Sequence, residues 1–66
     1  MYSKVDVSVE VEQSLSAIRQ ALVDGSEVRV ASDRMQRYHA ANSMYDYLLD
    51  ALTHCDKVRR HLAGVL

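Results

Sequence analysis

The stretch GSEVRVASDRMQRYHAANS, residues 25–43, decides the fold. Glu27 to Ala31 alternate polar and apolar side chains, the period-2 pattern of a half-exposed strand. Ser32, Asp33 and Arg34 then read as a tight turn, with Met35 to Ala40 as the returning strand of a hairpin. Ser43 has Asp46 three residues on, the spacing in which each side chain caps the other's backbone N–H at a helix start. A second reading fits the same residues. Tyr38, Ala41, Tyr45, Leu48, Leu52, Cys55 and Leu62 keep an alternating three- and four-residue spacing, with one miss at Arg59. That pattern suits one long helix from Ser32 and hence a two-helix hairpin. No proline or glycine falls between residues 27 and 63 to forbid it. Periodicity alone leaves both open.

Working outward, Val11, Leu15, Ile18 and Leu22 form one stripe of a 3.6-residue helix over about residues 8–24. Glu10, Glu12 and Gln13 lie in its first turns, where the helix dipole favours negative charge. Gly25 stands where a glycine can take the left-handed conformation that ends a helix. Val5, Val7, Val9 and Val11 also alternate with polar residues, so residues 1–7 read as extended or unordered, or as a strand added to a neighbour's sheet. The last helix spans about 43–63, with Gly64 as its terminator and 64–66 as a tail.

Sixty-six residues make one domain. A chain of this size buries only about 60% of the surface its unfolded form exposes, so a core built alone is marginal. Small domains usually add disulfides, a metal or a partner. Cys55 is the only cysteine, which excludes an internal disulfide and points to a reducing compartment. The N-terminus lacks the basic-then-apolar order of a signal peptide, and no apolar run approaches the ~20 residues that span a bilayer. Partner chains are therefore the expected source of stability. The charge is dipolar: residues 1–33 carry three basic against six acidic side chains, and residues 34–66 carry five against three. Such a chain is suited to packing against copies of itself, negative half to positive half.

The order of features from Ile18 to Leu52 resembles the gpW-like head-completion proteins of tailed bacteriophages. A helix ends at Gly25, and a short strand carries Val28, Arg29 and Val30. A turn at Ser32, Asp33 and Arg34 leads to a second strand ending at Tyr38. A polar cap at Asn42 and Ser43 then precedes an apolar helix with Leu48, Leu49 and Leu52. The resemblance covers about half the chain. It departs from the family pattern in the weaker alternation of residues 35–39 and in Ser32-Asp33 where a glycine-containing turn is usual. It implies an α+β fold, two helices (8–24 and 43–63) flanking a β-hairpin (27–40), with the all-α helical hairpin as the alternative. It also implies a structural role in the virion neck, assembled in the host cytoplasm. The partners would be other copies of the chain in a ring, the portal protein, the tail-side neck protein and packaged DNA, with no membrane.

Residues with chemical potential argue against catalysis. On a helix His54 and His61 share a face, while Cys55 points about 100° away. Zinc needs four convergent ligands, so no metal or other cofactor is expected. His54 is likewise splayed from Cys55, leaving no base for a thiolate, so no catalytic residue is assigned. Cys55 reads as a small buried apolar residue, and the histidines as solvated. Tyr45 lies on the apolar stripe and reads as core, whereas Tyr47 lies off it and reads as interface. Lys57, Arg59 and Arg60 form the basic cluster, suited to DNA phosphate, acidic portal residues or a helix C-terminus. The apolar tail with Leu62, Val65 and Leu66 reads as inserting into a partner.

Overall fold

Asp6 opens the first helix. In the computed structural model, which describes residues 5–65, its carboxylate accepts a 3.2 Å hydrogen bond from the Val9 N–H. The helix, α1, runs Val7–Val30 and ends at Ala31, whose extended backbone still donates to the Glu27 carbonyl at 2.9 Å. Asp33 starts the next one, accepting from the Gln36 N–H at 3.2 Å. This helix, α2, runs Arg34–Val65, and the two lie antiparallel in a rod of 50 × 20 × 15 Å.

The expected hairpin at 27–40 is not formed, and no strand occurs among the described residues. Residues 27–30 complete α1, residues 34–40 open α2, and only 31–33 connect them. The fold is therefore the all-α hairpin, and the helices exceed the expected 8–24 and 43–63 at both ends. The physical reason is continuity of packing. Val28 extends a three-and-four spacing already carried by Ala17, Ala21 and Asp24, so helix keeps it against α2. The four-residue alternation at 27–30 is too short to outweigh that.

Neither glycine stops a helix, because Gly25 and Gly64 both sit inside one with ordinary negative φ. Ser43 caps nothing, since its hydroxyl donates to Asp24 Oδ2 across the hairpin at 2.6 Å.

Two heptad lines form the seam between the helices. On α1 they are Val7, Glu10, Ser14, Ala17, Ala21, Asp24 and Val28, all buried or half-buried. On α2 they are Ala40, Met44, Tyr47, Ala51, His54, Val58 and His61. Alternating three- and four-residue steps are those of left-handed antiparallel helix packing. The seam's centre is made of small side chains: Ala17, Ala21, Ala40 and Ala51 are 4–8% exposed and Ser14 is 9% exposed. Small residues let the backbones approach closely, but each buried methyl contributes only about 0.8 kcal/mol. A buried Leu or Ile contributes about 1.5–3 kcal/mol. Polar ties add to this thin core. Arg37 Nε donates to the Val28 carbonyl at 2.9 Å, satisfying an orphan acceptor at the α1 C-terminus.

Candidate interaction face

The leucines and Ile18 lie outside this seam. Val11, Leu15, Ile18 and Leu22 each follow a seam residue by one position, which rotates them about 100° around α1. Leu48, Leu52 and Cys55 stand in the same relation to Tyr47, Ala51 and His54 on α2. The rotation has the same sense relative to the seam on both helices, so the two stripes run side by side on one face of the hairpin. Shallow grooves between them are lined by Val11, Leu15 and Ile18 from one side and Leu48, Leu52 and Cys55 from the other, over a floor of Ser14 and Ala51. Leu22 is 69% exposed and Leu52 65% exposed. Contiguous exposed apolar surface of this kind marks an interaction site.

The opposite face is mostly polar, with Val9 and Val23 as exposed apolar exceptions. Gln13, Gln20 and Glu27 of α1 and Asp46, Asp50 and Lys57 of α2 are all exposed there. Two hydrogen bonds cross the seam along this side. One is Ser43–Asp24; the other joins His54 Nδ1 to Glu10 Oε1 at 2.6 Å. His54 Nε2 lies 3.5 Å from Asp50 Oδ1. Both ring nitrogens of His54 thus face carboxylates, and neither is turned towards Cys55. Among the described residues no group of three His, Cys, Asp or Glu side chains converges on a point.

Several expected roles move. Tyr45, read as core, is 63% exposed, and Cys55, also read as core, is exposed on the apolar face. His54, read as solvated, is half-buried in the seam. Tyr47, chosen as an interface residue, belongs to the seam heptad between Met44 and Ala51 and is 37% exposed. Lys57, Arg59 and Arg60 are all exposed on the last turns of α2. Arg59 and Arg60 both bind the Asp56 carboxylate, Arg60 Nε at 2.7 Å. Those bonds, first of all the one from Arg59, hold the Asp56 carboxyl below its ordinary value. Leu62 is exposed along the extension of the α2 stripe. Leu66 and the side chain of Val65 lie outside the described residues, as do residues 1–4 of the N-terminal tail.

Sequence reasoning found the stripes of this face but placed Tyr45 and Cys55 of the α2 stripe in the core. The missing signal was the second heptad one residue earlier, disguised because it mixes Ser, Ala, Glu, Asp and His with a few apolar residues such as Val28 and Val58.

Together these features define an antiparallel helical hairpin with a small-residue seam and one broad apolar face. No family model, curated protein or solved structure matches the chain. No helix among the described residues is long and apolar enough to cross a membrane.

Proposed function

We propose that this chain is a non-enzymatic interaction module, an adaptor or dimeric regulator that docks its apolar face against helices of a partner. One observation carries the reading: alanines fill the seam while Leu15, Ile18, Leu22, Leu48 and Leu52 stand in solvent. A hairpin organised for its own stability would place those side chains inward, where each contributes about two to four times as much as an alanine methyl.

The head–tail joining role, with its portal, tail-side neck protein and packaged DNA, rests on a feature order whose strands are helical here. No geometric observation favours it, and we carry forward the helical-hairpin alternative.

The test is binding of an apolar probe. Anilinonaphthalene sulfonate should fluoresce with the chain held as a monomer at high dilution, and Ile18→Glu should remove the signal while far-UV circular dichroism stays helical. Undiminished fluorescence in the helical variant would show that the face is not the adhesive surface.

A further inference from the structure

We infer that the occupant of the apolar face is a second copy of this chain, the two hairpins closing into an antiparallel four-helix bundle. The inference rests on the interaction-module reading and specifies its partner. Three observations support it.

The first is the angular arrangement. Each helix carries two heptad lines one residue apart: Ser14, Ala17 and Ala21 beside Leu15, Ile18 and Leu22, and Tyr47, Ala51 and His54 beside Leu48, Leu52 and Cys55. One residue is about 100° of helix rotation, close to the right angle between neighbours in a square bundle. A helix with one neighbour needs one line; these helices have two. The hairpin satisfies the first line internally and presents the second ones in parallel. A second hairpin presents the same pair of lines with the same length and separation, so the faces are self-complementary as a two-fold interface requires.

The second is area. A 7.5 kDa globular chain is expected to expose roughly 4,200 Å², whereas this one exposes 5479 Å², an excess of about 1,200 Å². A standard interface removes about 800 Å² from each partner, less than that excess, so the rod has the surface that one more copy needs.

The third is charge, which selects the arrangement. Helix α1 carries Arg19 and Arg29 against Glu10, Glu12, Asp24 and Glu27. Helix α2 carries Arg34, Arg37, Lys57, Arg59 and Arg60 against Asp46, Asp50 and Asp56. A two-fold axis parallel to the helices lays α1 of each copy along α2 of the other, so acidic and basic helices alternate around the bundle. An axis across the helices would stack acidic α1 on acidic α1. The bundle therefore forms with every neighbouring pair antiparallel and of opposite net charge.

Sedimentation equilibrium on the full chain and two single variants tests this. The wild-type chain should show twice its 7.5 kDa mass, and Ile18→Glu should show the mass of one chain. Gln20→Glu, the same charge on the opposite face, should remain at two chains. The wild-type denaturation midpoint should also rise with protein concentration, as association-linked stability requires. That readout decides the matter alone if Ile18→Glu does not fold. A two-chain mass for folded Ile18→Glu, or a one-chain wild type with a concentration-independent midpoint, overturns the dimer. In a one-chain wild type, dye fluorescence lost in Ile18→Glu would keep the interaction-module reading with a different partner. Absence of dye binding would remove both.

Discussion

The Ser14 hydroxyl donates a 3.0 Å hydrogen bond to the Ala51 carbonyl across the seam, within the buried centre of the hairpin. A side chain as short as serine reaches the opposite backbone only where two helices lie near the close end of the usual ~8–10 Å separation. This bond therefore gauges the whole seam: α1 and α2 are held together by closeness rather than by bulk.

Enlarging the seam should be damaging. Ala21→Leu places an isobutyl group where 5% of the residue is exposed, forcing the helices apart. A loss of about 1–3 kcal/mol is expected, read as a lower urea midpoint. Ser14→Ala should cost less, about 1 kcal/mol or under, because the Ala51 carbonyl keeps its helical partner and alanine favours helix. Equal stability of Ala21→Leu and wild type would contradict a close-packed seam.

Gly25 offers a change in the opposite direction. It lies inside α1 with an ordinary helical backbone, and a Cβ there would meet only Met44 Sδ, at 3.4 Å. Methionine is flexible enough to accept that contact. Gly25→Ala should stabilise the chain by about 0.5–1 kcal/mol through helix propensity and a less disordered unfolded state. A lower melting temperature would instead mean that the bare glycine is required for the approach of Met44.

The His54–Glu10 bond anchors the open end of the hairpin, since the connector at 31–33 ties only the other end. Both side chains are about four-fifths covered. A double-mutant cycle of Glu10→Ala and His54→Ala should return a coupling of about 0.5–1.5 kcal/mol. Amide exchange of residues 8–12 should quicken in either single variant. A coupling of zero would mark the contact as incidental.

Asp56 bears on acid behaviour. The Arg59 hydrogen bond, with the charges of Arg59 and Arg60, lowers its folded-state pKa. A lowered carboxyl pKa means the pair's contribution is present above the ordinary Asp value of about 3.9 and disappears as pH falls through the depressed one. The group is only half-buried, so the effect is local. Carboxyl carbon NMR should show Asp56 titrating below the ordinary Asp range, and Arg59→Gln should move its midpoint upward. Unchanged titration in that variant would remove the ion pair from solution.

Legibility of the fold followed the size of the side chains. The stripes Val11–Leu22 and Leu48–Leu62 were visible because they are apolar, and they correctly indicated helix. Their orientation was misread because apolar residues are expected to face inward. The true seam combines Ala17, Ala21, Ala40 and Ala51 with Glu10, Asp24 and His54, a mixture that no hydrophobicity pattern separates from a solvated face. The segment 27–40 misled for another reason. Val28 and Val30 satisfy a strand period, while Val28 and Ala31 satisfy a helical one, and four or five residues cannot distinguish them.

The amino-acid sequence by itself determined that two helices exist, that residues near 32 and 33 turn the chain, and that one stripe on each helix is apolar. These are properties of neighbours three or four positions apart, and local chemistry is enough to set them. Only the tertiary structure decided that residues 27–30 and 34–40 are helical, and that alanines rather than leucines lie between the helices. Both depend on α1 and α2 meeting along lines far apart in sequence. Close approach needs small side chains, and the large ones are then left on the surface.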